Sequence, residues 1–152
     1  MKLAEALILR ADCKKRLEQL KARVVRNARI QEGDRPAEEP QSLLAEFERV
    51  ARELADLVKR INRTNSATVF GDGLSLSDAL AERDALGARH RLYGELAQAA
   101  SISQDRYSRS EVKYVSAVSV ADAQQRADEL AREYRSLDAR IQELNWKAEL
   151  NE

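Results

Sequence analysis

The stretch ADAQQRADELAREYRSLDARIQELNWKA, residues 121–148, has the most regular pattern in the chain and decides the fold class. Its apolar side chains recur every three or four residues, at Ala123, Ala127, Leu130, Tyr134, Leu137, Ile141, Leu144 and Ala148. Side chains at this spacing share one face of an α-helix. The pattern predicts a helix that begins after Ser119, with Ser119 and Asp122 capping its first turn and coiled-coil-like packing along its length.

Three more helices precede it. The first is predicted over about residues 3–29, and the proline- and glycine-containing segment 31–40 breaks it. The second ends at Ile61, the last residue of a regular apolar stripe formed by Leu43, Phe47, Val50, Leu54, Leu57 and Ile61. The third is predicted over about residues 77–100.

The third helix differs from the others because it is apolar on two sides. One side carries Ala85, Leu86, Leu92, Tyr93, Leu96 and Ala100, and the opposite side carries Leu76, Leu80, Gly87, Gly94 and Ala97. A helix that is apolar on two sides is buried on two sides, inside a bundle or between subunits. We therefore expect a homo-oligomer, with Gly87 and Gly94 letting another backbone approach closely.

A small β element is predicted between the second and third helices. Residues 67–76 contain Gly71-Asp72-Gly73, which supplies the positive φ angles of a tight turn between two short strands. Residues 111–118 also have a strand-like composition, and we expect them to pair with this hairpin.

Composition agrees with a mainly α fold. The chain has 152 residues, of which 43% are hydrophobic and 34% charged, with 5 Gly and 2 Pro. These values favour exposed helices over a β sandwich. We predict one domain over residues 1–152, an antiparallel bundle of long helices with a small β hairpin element.

Charge and hydropathy exclude several classes of protein. The 26 basic residues balance 26 acidic ones, whereas nucleic-acid binding needs a basic surplus, so we expect no nucleic-acid partner. No stretch approaches the ~20 apolar residues of a membrane-spanning helix, and the N-terminus lacks a signal-peptide core, so we expect no membrane partner. A single cysteine, Cys13, suits a reducing compartment. The chain is therefore expected to be cytoplasmic.

No pattern of catalytic or metal-ligating residues stands out. The single histidine, His90, follows Gly87 where a di-metal bundle would have Glu, so we expect no metal and assign His90 to packing. Cys13 lies in the apolar stripe of the first helix, where a thiol acts as a small hydrophobic group. Glycine-rich phosphate loops and nucleophile motifs are lacking. We therefore expect no cofactor and favour a protein without enzymatic activity.

Two polar segments, residues 61–66 (INRTNS) and 104–111 (QDRYSRSE), hold the candidate functional residues. These ligand-binding or interface candidates are Arg60, Asn62, Arg63, Asn65, Arg106, Tyr107, Arg109 and Glu111. Guanidinium groups bind carboxylate or phosphate, so convergence of the two segments would create a site for a small anion or a nucleotide. Alternatively, the arginines bind free carbonyls at a helix end or carboxylates across an interface, and Asn65 ends the second helix in a left-handed conformation.

The chain resembles the septicolysin-like family of uncharacterised bacterial proteins. The resemblance spans the chain through MKLAEAL at residues 1–7, RNAR at 26–29, QEG at 31–33, INRTN at 61–65, LAERD at 80–84, RYSRSE at 106–111 and NW at 145–146. The family name implies haemolysin-like activity, and the family supplies no catalytic residues to carry over. The sequence itself favours a cytoplasmic, self-associating helical protein with an interaction or structural role, with the small-anion or nucleotide binder as the alternative.

Overall fold

The computed structural model describes residues 1–101 and 112–152 and contains all four predicted helices. The helices are α1 (Leu3–Arg26), α2 (Pro40–Ala67), α3 (Leu76–Ala100) and α4 (Val120–Lys147), and the strands are β1 (Val69–Gly71) and β2 (Leu74–Ser75). The predicted mainly α class with a small hairpin is confirmed. The chain divides into two compact units: unit 1 contains Met1–Ser75 and Glu143–Glu152, and unit 2 contains Leu76–Gln142.

In unit 1, α1 and α2 pack as an antiparallel pair. The Arg16 Nε donates a hydrogen bond of 2.9 Å to Glu46, and the Arg23 Nε donates one of 3.0 Å to Glu38. Arg23 follows Arg16 along α1, but its partner Glu38 precedes Glu46, so the two segments run antiparallel. Each hydrogen bond holds the pKa of its carboxyl group below the usual range. Both pairs are partly exposed, so packing between the helices contributes more to stability.

The core between α1 and α2 is small and aliphatic. Leu20, Leu43 and Val50 are buried together, with Cys13, Leu17, Val24 and Phe47 packed against them. The α2 residues belong to the predicted apolar stripe, and the α1 residues recur every three or four positions along that helix, so the two stripes face each other. Cys13 is half-buried against this core, as its place in the stripe predicts.

The first helix ends three residues earlier than predicted because Asn27 stops it. The Asn27 side chain is buried, and its Nδ2 donates to the Arg23 carbonyl at 2.9 Å. Its Oδ1 accepts a hydrogen bond of 3.1 Å from the Glu38 backbone N–H. One side chain thus binds a carbonyl in the last turn of α1 and anchors the connection just before α2.

The hairpin confirms the turn prediction, but the predicted third strand is wrong over the described residues 112–118. Val69 pairs with Ser75 and Gly71 with Leu74 in an antiparallel ladder. Gly71, Asp72 and Gly73 have φ angles of +130°, +53° and +76°, as the turn requires. Residues 112–118 form no strand, and within the described parts of the chain the sheet contains only β1 and β2. Strand-like composition is a weak predictor here, because strand propensity depends on packing against neighbouring side chains.

In unit 2, α3 and α4 are also antiparallel. The Arg83 Nη1 donates to Asp138 at 2.9 Å, and the His90 Nδ1 lies 3.0 Å from the Ala127 carbonyl oxygen. His90 is half-buried, in agreement with its predicted packing role. The predicted cap of α4 is confirmed, since the Asp122 N–H donates to the Ser119 Oγ at 3.2 Å.

The two glycines of α3 differ in their surroundings. A Cβ atom at Gly87 would lie 3.3 Å from Cε2 of Tyr134, so a side chain of α4 packs there instead of the predicted backbone. Around Gly94, no heavy atom among the described residues lies within 4 Å of an added Cβ. Only Gly87 is therefore shaped by packing within the chain.

We expect Gly94→Ala to raise the free energy of unfolding by up to about 1 kcal/mol, because alanine forms helix better than glycine and has space here. Gly87→Ala should stabilise less, because the Tyr134 ring must shift to admit the methyl group. Urea denaturation of both variants tests the difference. Equal stabilisation, or a larger gain at Gly87, would contradict this account of the helix surface.

Candidate functional site

The polar end of α2 anchors the C-terminal segment of unit 1. Helix α2 continues through residues 61–66 to Ala67, so the prediction that it ends at Ile61 is wrong. The Thr64 Oγ1 donates to the Arg60 carbonyl at 2.8 Å and accepts a hydrogen bond of 2.9 Å from the Asn151 N–H. The Arg60 Nε donates to the Asn151 carbonyl at 3.1 Å. One turn of α2 therefore binds both backbone polar groups of Asn151.

The same C-terminal segment pairs with the start of the chain. The Leu150 N–H donates to the Met1 carbonyl and the Leu3 N–H to the Ala148 carbonyl, both at 2.9 Å. The Lys2 ammonium lies 2.5 Å from the Glu149 carboxylate. This ammonium, together with the terminal amino group, holds the pKa of Glu149 below its usual range. We name this arrangement, with Thr64 and Arg60 on one side and Lys2 on the other, the terminal clamp.

The predicted residues of the first polar segment have different environments. Arg60 is half-buried and belongs to the terminal clamp through its bond to the Asn151 carbonyl. Asn62 and Arg63 are exposed, and Asn65 is half-buried within the helix. Asn65 does not end α2 in a left-handed conformation, because Thr68 caps the helix with φ −80° and ψ 120°. The described hydrogen bonds at this end of α2 thus join it to other residues of the same chain.

The candidates of the second polar segment, Arg106, Tyr107, Arg109 and Glu111, lie outside the described residues. Convergence of the two polar segments on a small anion therefore stays a prediction. Within residues 1–101 and 112–152, no three His, Cys, Asp or Glu side chains form a group that could hold a metal ion. Over the same ranges, none of the helices combines the length and apolar character needed to cross a membrane.

Sequence reasoning missed Thr64, the most buried polar side chain of the terminal clamp, which is 1% exposed. A signal for it exists. The stripe of α2 steps by four and three residues up to Ile61, and the next two steps fall on Thr64 and Thr68. A polar residue that continues a buried stripe predicts a longer helix with a hydrogen-bonded contact on its buried face.

A second feature lies in unit 2, on the side of α3 that points away from α4. We name Ala81, Ala85, Ala88 and Leu92 the outward face of α3; they follow each other at steps of four, three and four. All four are exposed, and Leu92 is 61% exposed. The residues that contact α4 lie on the opposite side of the helix: Arg83, Gly87 and His90. Of the predicted side that carries Ala85, Leu86, Leu92, Tyr93, Leu96 and Ala100, only Ala85 and Leu92 belong to this outward face, and the other four are half-buried.

Charged side chains flank the outward face in a regular order. Glu82 and Arg89 lie along one edge, and Asp84 and Arg91 along the other, each acid seven residues before its arginine. All four are exposed. Asp84 makes a peripheral contact of 3.4 Å with Arg83, which binds Asp138 more closely. The outward face therefore has an apolar centre and two edges of mixed charge.

The apolar surface of unit 2 continues past the end of α3. Leu96, Ala99, Ala100 and Ser101 line an open cleft of about 500 Å³ together with residues 114–118. Tyr114 is 84% exposed and Val115 is 81% exposed. Leu92, Tyr114 and Val115 thus place exposed apolar side chains on unit 2.

Comparisons with known proteins identify relatives but no activity. Residues 10–150 match the model of DUF6847, a family of unknown function. The structure is similar to the crystal structure of a functionally unknown conserved protein from Corynebacterium diphtheriae, with 48% sequence identity, a TM-score of 0.93 and 99% of each chain covered. No curated protein matches this chain.

Proposed function

Because the chain belongs to DUF6847, a family of unknown function, we propose its role from its surface: a self-associating helical protein that acts by interaction or as a structural component. The cytoplasmic location expected from the sequence is part of this proposal. The observation that carries it is the outward face of α3, which is apolar and exposed in the single chain. Closed symmetric assembly is the common outcome for such proteins.

The energetics favour covering this surface. Complete burial of one exposed Leu or Val side chain contributes about 1.5–3 kcal/mol, and the Leu92 side chain is mostly in water. Tyr114 adds an aromatic ring of the type enriched in interface cores. A second copy that covers both regions would therefore remove a substantial apolar area from water.

The small-anion alternative has weaker support among the described residues. It needs free guanidinium groups at the end of α2, but the Arg60 Nε is hydrogen-bonded to the Asn151 carbonyl. Arg63 is exposed and is the remaining cation of that segment. The septicolysin-like resemblance and its implied haemolysin-like activity remain predictions from sequence alone.

Sedimentation velocity at protein concentrations from about 5 to 500 µM tests the proposal. The range extends to high concentration because interfaces that bury less than ~800 Å² per partner are commonly weak. We expect the weight-average mass to rise above that of one chain within this range. Leu92→Glu should shift the equilibrium towards the monomer by at least about tenfold, since it places a charge in an apolar contact. Leu44→Glu makes the same change at a partly exposed leucine of α2 and should leave assembly unchanged. A monomer mass at every concentration would overturn the proposal.

A further inference from the structure

We propose that two copies pair through the outward face of α3 in an antiparallel arrangement centred between Leu86 and Gly87. This inference rests on the proposed self-association and adds its geometry. It follows from the exposure of the apolar face together with the order of charges along both edges. The occupant of the face is a second copy of this chain.

In this register the apolar residues of the two copies face one another. Ala85 of one copy lies opposite Ala88 of the partner subunit, and Ala81 lies opposite Leu92 of the partner subunit. Because the arrangement has two-fold symmetry, each contact occurs twice. Small central side chains allow the two helix axes to approach to about 8 Å, at the close end of the usual range. Leu92 then fills the space above Ala81 at each end.

The charges select this orientation. In an antiparallel pair, Asp84 lies opposite Arg91 of the partner subunit, and Glu82 lies opposite Arg89 of the partner subunit. Two-fold symmetry doubles each pair, so both edges consist of opposite charges. A parallel pair would bring Asp84 towards Arg89 of the partner subunit and leave Glu82 and Arg91 outside ion pairs. The helix dipoles also oppose each other in the antiparallel pair, which is the favourable arrangement.

Three of these four side chains are available to a partner subunit, and the fourth, Asp84, makes only the peripheral contact with Arg83. Glu82, Arg89 and Arg91 are exposed, and no hydrogen bond or salt bridge joins them to the described residues of their own chain. Exposed ion pairs contribute little affinity each, so their role here is to set orientation and register. The apolar contact supplies the attraction.

Like charges at both ends limit the length of the contact. The next positions along the same stripe are Asp78 and Glu95, which would face each other as like charges in this register. The contact therefore runs from Ala81 to Leu92, about 18 Å of helix. A contact of this length buries less surface than the ~800 Å² that stable dimers bury on each partner. We therefore expect an association in the micromolar range or weaker, about 1 µM and above.

Charge reversal tests the register. Arg91→Glu should weaken dimerisation by about tenfold, because it replaces two attractive contacts with two repulsive ones. Asp84→Arg should weaken it similarly. The double variant Asp84→Arg with Arg91→Glu restores opposite charges and should return the Kd to within about threefold of the original. Arg135→Glu makes the same change at an exposed site on α4 and should have no effect.

Cysteine cross-linking tests the orientation independently. In a Cys13→Ala background, Ala81→Cys and Leu92→Cys are prepared as separate proteins and oxidised alone or mixed. In the antiparallel pair each of these positions lies about 16 Å along the helix axis from its own copy, which is too far for a disulfide. Facing positions at close helix contact lie within disulfide range, so we expect a cross-linked dimer only in the mixture. Efficient cross-linking of each variant with itself would indicate a parallel pair and overturn the inference.

The outcomes separate this inference from the proposed function. If the charge reversals leave the dimer Kd unchanged and the mixture forms no cross-link, the register is overturned and self-association stands. A monomer at all concentrations would overturn both. Loss of dimer in Arg91→Glu without recovery in the double variant would also overturn the register, because the pairing requires that recovery.

Discussion

Replacing Leu20 with alanine should lower the free energy of unfolding by about 2–5 kcal/mol, the usual cost of removing a buried leucine side chain. Leu20 is fully buried between Leu43 and Val50 in the small core of unit 1. A core with only three buried residues has little capacity to collapse around a cavity. We therefore expect a value in the upper half of this range, measured by urea denaturation followed by circular dichroism.

The matched control is Leu44→Ala, a leucine of α2 that is 41% exposed. This change removes the same atoms, but much of their surface is already in water, so the loss should stay below about 1 kcal/mol. Equal losses for the two variants would show that Leu20 is not held in a packed core. The same measurement tests the single-domain prediction: one unfolding transition that shifts as a whole in Leu20→Ala is the expected behaviour.

Thr64→Val should lower the free energy of unfolding by about 1–3 kcal/mol, since it removes a buried hydroxyl with two hydrogen bonds at nearly constant volume. The hydroxyl connects the Arg60 carbonyl to the Asn151 N–H, so the loss should also release the C-terminal segment. Hydrogen exchange of the backbone amide of Leu150, which is bonded to the Met1 carbonyl, reports that release directly.

Thr68→Val is the control for this effect. The Thr68 Oγ1 donates to the Thr64 carbonyl at 2.7 Å within the last turn of α2, and no C-terminal residue is joined to it by that bond. We expect a smaller change in stability and unchanged exchange at Leu150. Faster exchange in both variants would mean that the end of α2 unravels as a whole, and the terminal clamp would then not depend on Thr64.

The apolar stripes predict most of this fold because they need only the helical period. The facing of α1 and α2, the cap at Ser119 and the positive φ angles of residues 71–73 all follow from local residue types. Helix ends are harder to predict. Asn27 ends α1 through a hydrogen bond to Glu38, eleven residues away, and Thr64 helps to extend α2 through a bond to Asn151. Tertiary contacts of this kind override the weak helix preference of Asn, Thr and Ser.

The candidate site was predictable only in part for the same reason. The two-sided pattern of α3 predicts burial on two sides, and in the structure Ala85 and Leu92 of the first side are exposed. The composition of residues 61–66 is typical of a binding loop. Their role in the described chain depends instead on a segment about ninety residues away, which no local pattern reveals. The residues 112–118 illustrate the converse, a strand-like composition without a strand.

The terminal clamp has a consequence for the order in which unit 1 assembles. Lys2 and Lys147 meet across 145 positions of sequence, whereas Arg23 and Glu38 meet across 15. Closing the longer loop in an otherwise unfolded chain costs about 2 kcal/mol more, because loop entropy grows with the logarithm of length. The α1–α2 pair should therefore form early, and the clamp should close last. A contact that forms after the transition state slows unfolding without speeding folding. We therefore expect the clamp to slow the unfolding of unit 1 without changing its folding rate.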